Sequence, residues 1–276
     1  MWYTNHIRVE NKFNIMEEIV SRDNRKIKLL KKLGSKKYRN KFGKFLVENI
    51  AIIYDGLNSS YNPKTLFVTQ KLLDSDCNKI KFIVEKVGFE NMFIMSKDVN
   101  KYFSNLDTPS GIVAIYNRNK KKELNFKKII LYLNEIKDPG NMGTILRSAV
   151  AFGINEIVLD RKCVDLYNPK VIQSAKDAIF KTNVIFDEDR KILHKMKNKM
   201  EIFVTDVDGG VKVKNAFENK DSFCVVLGNE SFGVDDEIKN MADEIVNIEI
   251  NSKMESLNVA VGAGIILYEI YNQLSS

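Results

Sequence analysis

The 276-residue chain is poor in the residues that build metal and redox centres. Its three cysteines, Cys77, Cys163 and Cys224, and two histidines, His6 and His194, lie far apart. That scarcity argues against a disulfide framework, a zinc site and a histidine-dependent triad. No apolar run approaches the roughly 20 residues that span a bilayer. The opening MWYTNHIRVENKFN lacks the continuous apolar stretch of a secretory signal. No membrane and no metal are expected, and the expected location is the cytoplasm. There is no G-x-G-x-x-G after an early strand, no P-loop, no G-x-S-x-G elbow and no internal repeat. The missing glycine fingerprint counts against a nicotinamide-dependent enzyme.

What is present is a globular composition, 44% apolar and 29% charged, with enough chain to bury a core. The net charge of +7 is unevenly placed. Residues 1–124 carry a balance of +11 and residues 125–276 one of −4. Such asymmetry suggests that one half faces a polyanion. A merely solvated, lysine-rich surface is the bland alternative.

Residues 1–15 show no periodicity and are left unassigned. In the stretch from Ser21, SRDNRKIKLLKKLGSKKYRNKFGKFLVEN, apolar Ile27, Leu30 and Leu33 recur at threes. The pattern predicts a helix capped by Ser21 and ended by Gly34. Arg22, Arg25, Lys26, Lys36, Lys37 and Arg39 surround it, with Tyr38 and Phe42 interleaved. A basic face with aromatics can neutralise phosphates and stack bases. Leu46–Asp55 reads as strand then helix, Thr65–Thr69 and Met92–Met95 as strands, Lys79–Val87 as a helix and Gly111–Tyr116 as a strand. The alternation predicts a small α/β domain over residues 16–118. Polar, basic residues 119–124 are the candidate linker to a second domain, residues 125–276.

In that second part continuous apolar strands alternate with helices, as parallel sheets require. Strands are expected at Ile129–Leu133, Ile157–Leu159, Val184–Phe186, Ile202–Thr205, Phe223–Leu227 and Glu244–Ile250. Helices are expected at Thr144–Phe152, Pro169–Phe180 and Asp187–Lys199, with a Gly/Ala-rich one at the end. Polar, glycine-containing loops follow several strands, which is how ligand sites form at the carboxyl edge of an open α/β sheet. In Asp138-Pro139-Gly140-Asn141-Met142-Gly143, a helix starting near Asn141 would aim free N–H groups above the sheet, and Arg147 follows within two turns. Spacing alone reads Asn141 equally as an N-cap and Arg147 as a surface cation. Gly228–Gly233 let a ligand approach backbone closely, and Glu230 between them is either a hydroxyl-holding carboxylate or a solvated one. Ser256, ahead of the last helix, reads by default as an N-cap.

Taken together and in order, these three stretches resemble the SpoU (TrmH-like) RNA ribose 2′-O-methyltransferases of the SPOUT superfamily. The motifs are Asp138–Gly143 with Arg147, Leu227–Gly233, and Glu255-Ser256-Leu257-Asn258-Val259. The likeness extends to SRDNRKIKLLKKL, KKYR and GKFLVEN, which look like the substrate-binding domain of two-domain, rRNA-directed members. The resemblance implies an α/β fold whose C-terminal parallel sheet holds a deep trefoil knot, an exception to ordinary chain topology. It also implies a homodimer, RNA as partner and S-adenosylmethionine as cofactor. Carried over by position, Asn141, Arg147, Glu230, Ser256 and Asn258 are catalytic. Thr205, Asp206, Leu227, Gly228, Asn229, Gly233, Ile248, Ile250 and Leu257 line the cofactor, largely through backbone groups. The family proposal makes Arg147 a base. A guanidinium normally stays charged, so holding a phosphate or stabilising a developing alkoxide stays open beside it. Two positions depart from the family, Asn49 and Asp177, each where glycine is commoner. The expected substrate is a ribose 2′-hydroxyl of large-subunit rRNA. The alternatives are a tRNA ribose methyltransferase or a non-catalytic RNA-binding protein that retains the fold.

Overall fold

The structure, a computed structural model, describes residues 18–118, 123–229 and 231–275. The chain divides into two compact units, Met1–Asn119 and Lys120–Ser276. In the first, the elements run β1 (Glu18–Ile19), α1 (Arg25–Leu33), α2 (Lys36–Phe42), β2 (Lys44–Val47), α3 (Ile50–Asn58) and β3 (Thr65–Val68). They continue through α4 (Gln70–Leu73), α5 (Asn78–Val87), β4 (Met92–Met95), α6 (Lys97–Phe103) and β5 (Ile112–Asn117). The sheet order is β1-β4-β3-β5-β2. Strands β1, β4 and β3 are parallel, and β5 runs antiparallel to both β3 and β2.

Helix α1 buries Ile27, Leu30 and Leu33 against Phe67, Met95, Val99 and Phe103. Its cap is not Ser21. Asn24 Oδ1 accepts from Lys26 N at 2.9 Å, whereas Ser21 Oγ accepts from Asp23 N in the turn before. Gly34 does end the helix, but at φ −59° it supplies no left-handed turn. The last carbonyls are met instead by Arg39, whose Nη1 donates to Leu33 O at 3.0 Å and Gly34 O at 2.7 Å. Arg39 is only 3% exposed. The expectation that it binds RNA is therefore corrected: its charge is spent inside the unit, satisfying helix-end acceptors. Asn49, one of the two departures, caps α3 by accepting from Ala51 N at 2.9 Å and Ile52 N at 3.3 Å.

The second unit runs β6 (Ile130–Leu133), α7 (Pro139–Ala151), β7 (Glu156–Asp160), α8 (Pro169–Ala175), α9 (Ala178–Lys181) and β8 (Asn183–Asp187). Then come α10 (Lys191–Lys197), β9 (Ile202–Thr205), β10 (Val211–Lys212), β11 (Cys224–Leu227), α11 (Asp236–Lys239), β12 (Glu244–Asn247) and α12 (Val259–Ser275). All seven strands are parallel, in the order β10-β12-β9-β11-β6-β7-β8. Every residue of β6, β7 and β11 is buried, as expected of a sheet covered on both faces. The last helix returns to α7, where Phe152 packs on Tyr268 and Tyr271 with ring centroids 5.8 and 5.9 Å apart.

Several boundaries differ from the periodicity. Helix α7 starts at Pro139 rather than Thr144, because Asp138 Oδ1 accepts from Asn141 N at 2.8 Å and proline suits the first turn. The expected helix over 169–180 breaks at Lys176, whose φ of 56° and ψ of −136° are not helical. The next residue, Asp177, sits at φ −73°, so this second departure from glycine costs the backbone nothing. Asp187 stays in β8. Its buried carboxylate accepts from Ile192 N at 3.1 Å and Leu193 N at 3.0 Å of α10, which therefore starts later than expected. Strand β12 stops at Asn247, which leaves Ile248 and Ile250 in the following loop. Of the expected linker, residues 119–122 lie outside the described residues.

Burial pushes the thiols of Cys163 and Cys224 well above the ordinary range, with the Asp160 charge adding to the effect at Cys163. Since the thiolate is the reactive form, both are depleted of it at mildly alkaline pH. Iodoacetamide should add once to the folded protein, at the half-exposed Cys77, and at all three cysteines after unfolding. Intact-mass analysis showing further adducts on the folded protein would contradict this packing.

Candidate active site

The carboxyl ends of β9, β11 and β12 deliver three loops around a cavity of about 530 Å³, closed by the start of α12. All nine expected cofactor residues line it: Thr205, Asp206, Leu227, Gly228, Asn229, Gly233, Ile248, Ile250 and Leu257. Val246, Val259, Ala263 and Ile266 complete apolar walls. Volume, apolar lining and a few polar groups are what a small-molecule site needs. Val207 and Phe232, within the expected loops after β9 and β11, line it too, and the sequence reading missed Lys239, which also lines the cavity. Lys239 lies on the four-residue α11, too short to leave a periodic signal.

The loop after β11 has little freedom. A Cβ on Gly228 would lie 2.3 Å from Gly233 C and 2.4 Å from Val234 N, so only glycine fits. Asn229 and Gly233 exchange both backbone bonds, at 2.9 and 3.0 Å. The Asn229 side chain accepts from Ser231 N at 2.8 Å and donates to Glu135 O at 2.9 Å. It therefore meets the cavity with its backbone, its amide group being committed within the protein. Thr205 Oγ1 likewise donates to Val226 O at 3.0 Å. Asp206 pairs with Lys239 and accepts from Val207 N at 2.7 Å. Partial burial opposes its ionisation, yet the Lys239 ammonium and the Asp208 and Val207 N–H groups hold its carboxyl below the ordinary range.

Two of the expected catalytic residues meet directly. Asn258 Nδ2 donates to Asn141 Oδ1 at 3.1 Å, joining the first turns of α7 and α12. Asn258 Oδ1 accepts from Ala260 N at 2.9 Å and Val261 N at 3.3 Å. Asn258 thus caps α12, and Ser256 does not, contrary to the default reading. Ser256 is exposed and lines the cavity. Arg147 lies on α7 with Asn141, exposed and in no ion pair seen among the described residues. Glu230 lies outside the described residues. Helix α7 is seated by Gly143, where a Cβ would meet Ser174 Cβ at 2.4 Å and Val171 O at 2.7 Å.

On the first unit, five of the six expected RNA-binding residues are exposed: Arg22, Arg25, Lys26, Lys36 and Lys37. Arg22 lies 5.2 Å from the Tyr102 ring centre, Lys26 4.5 Å from that of Phe93 and Lys37 5.9 Å from that of Tyr38. Among the described residues no three His, Cys, Asp or Glu side chains are placed to hold a metal, and no helix is long and apolar enough to cross a membrane.

Residues 128–268 match the SpoU rRNA Methylase family, and residues 24–114 match the MRM3-like substrate binding domain. The chain belongs to the SpoU rRNA methylase family. It is an RNA 2′-O-ribose methyltransferase that uses S-adenosylmethionine. It is 28% identical to the 23S rRNA (guanosine(2553)-2′-O)-methyltransferase of Bacillus subtilis, over 92% of this chain and 99% of that one. With mitochondrial rRNA methyltransferase 3A of Danio rerio it shares 27% identity over 94% of this chain and 70% of the other. Its fold is that of AdoMet-bound rRNA methyltransferase from Sinorhizobium meliloti, at TM-score 0.82 and 21% identity, covering 95% of this chain and 99% of that one.

Gly228→Ala should weaken S-adenosylmethionine binding at least tenfold, since the added methyl forces the loop open. Titration calorimetry showing affinity within twofold of the unaltered protein would remove this loop from the cofactor site.

Proposed function

We propose that this SpoU enzyme methylates a ribose 2′-hydroxyl in large-subunit ribosomal RNA, with residues 16–118 capturing the RNA and residues 125–276 carrying out the transfer. The Bacillus subtilis relative, matched over nearly its whole length, supports that substrate. The observation that carries the catalytic reading is the Asn141–Asn258 bond, which sets two motif residues side by side, next to a loop whose Ser256 and Leu257 line the cavity.

The cavity suits the cofactor. Glycine-tight backbone fits a ligand that is gripped through main-chain groups, and the apolar walls fit a flat heterocycle. When bound there, S-adenosylmethionine supplies an electrophilic methyl group on a sulfonium. Leu227, Gly228, Gly233, Ile248, Ile250 and Leu257 hold it, with Asp206 and Lys239 at the rim. Asn141, Ser256 and Asn258 orient the ribose, and orientation supplies much of the acceleration in such a displacement. Arg147 holds a substrate phosphate or the oxygen as it loses its proton, a role for which its lasting charge suits it better than that of base. Glu230 is retained in the catalytic set from its place in the second motif.

The segment from β9 through α12 forms a trefoil knot in this reading, for which the interleaved strand order β12-β9-β11 is the support. The enzyme acts as a homodimer through α12, whose Val261, Tyr268 and Leu274 are about half exposed. In this reading it works in the cytoplasm.

Labelled methyl transfer from S-adenosylmethionine to total RNA of a strain lacking the gene, followed by mapping of 2′-O-methyl sites, tests the reading. One new site in large-subunit rRNA is expected; modification confined to tRNA, or none at all, would overturn it. Arg147→Ala should lower the transfer rate by about 100-fold or more while leaving cofactor affinity within about threefold. Full activity in that variant would remove Arg147 from the mechanism. Replacing Arg22 and Lys26 together by alanine should weaken RNA binding and reduce the slope of log K against log salt by about 2. An unchanged slope would clear this face of phosphate contacts.

A further inference from the structure

Asp160, at the end of β7, does not line the cavity, yet its buried carboxylate holds the turn after β6 that in turn bonds the segment after β11. Its Oδ2 accepts from Asn134 Nδ2 at 2.6 Å and from Glu135 N at 3.1 Å. Its Oδ1 accepts from Lys162 N at 2.8 Å and Cys163 N at 3.0 Å. The Asn134–Glu135 pair held this way faces the other loop twice. Asn134 Oδ1 accepts from Asp235 N at 3.0 Å, and Glu135 O accepts from Asn229 Nδ2 at 2.9 Å. Asn134 is 1% exposed and Asp160 6%. Glu135 sits at φ 55°, a region that non-glycine residues seldom adopt, so the bonds hold a backbone shape that would not persist alone.

We propose that Asp160, acting through Asn134, is a positioning residue for methyl transfer. It sets the spacing between the cofactor loop, Gly228–Gly233, and the turn that leads into α7 and Asn141. The inference rests on the reading of function given above. Displacement at a methyl carbon tolerates little misplacement of the attacking oxygen, and an error on the ångström scale costs about 100-fold. A buried carboxylate surrounded by N–H donors suits such a task, because an amide in its place turns a donor toward donors. The sequence hides this arrangement, since its long-range bonds join residues between 25 and 101 positions apart.

The test compares Asp160→Asn, Asn134→Asp and the double exchange, which restores an amide-to-carboxylate bond with the partners reversed. Each single variant should lose about tenfold or more in kcat, with the Kd for S-adenosylmethionine and the KM for RNA within about threefold. The double exchange should recover part of that loss, the Glu135 N–H still facing an amide N–H, and even partial recovery is a coupling that independent sites do not show. Asp160→Glu serves if those variants fail to fold. It keeps a carboxylate acceptor, displaces it by one methylene from Asn134 and Glu135 N, and should lower kcat in the same way. Unchanged kcat in the variants that fold would overturn the inference. So would a loss of cofactor affinity in step with kcat, or a double exchange no better than the singles. Absence of transfer by the unaltered enzyme would instead overturn the functional reading, and this inference with it.

Discussion

All seven strands of the C-terminal sheet point the same way. Parallel neighbours cannot be joined by hairpins, so the chain must cross back after every strand, and every crossover begins at the carboxyl edge. The loops after β6, β9, β11 and β12 are thereby gathered along one edge whatever their sequences, and chemistry is written into them. What the sequence adds is the spacing of those loops. Gly228 brings the loop after β11 onto itself, Gly143 seats α7 on α8, and Asn258 ties the start of α12 to Asn141. The cavity is the space left between them.

The features legible in the sequence are those that depend on neighbours in the chain. The apolar run ahead of Gly228 and the Asp138–Gly143 turn locate the carboxyl-edge loops, and the nine cofactor positions inferred from the family resemblance all line one cavity. Hidden features depend on partners far away. Asp160 and Asn134 look like ordinary strand-end polar residues until the fold sets them 2.6 Å apart. Arg39 sits in a basic run and reads as a surface cation, but its guanidinium turns inward to the end of α1. Boundaries slipped where a side chain competed with periodicity, as when Asp138 started α7 a turn early and Asp187 kept α10 waiting.

The two departures from family glycine follow one rule. Glycine is irreplaceable where a Cβ would strike backbone, and exchangeable where the backbone lies in ordinary regions. Asn49 is a helix cap, and Asp177 stands at φ −73°. Both are therefore tolerated, and neither lies in the motifs that frame the cavity.

The most direct measurement is a crystal structure with S-adenosylhomocysteine bound. The ligand is expected inside the cavity, gripped by the backbone of Gly228, Ile248 and Leu257, with its sulfur on the side of the Asn141–Asn258 pair. A ligand seated elsewhere, or a sulfur turned away from that pair, would contradict this expectation.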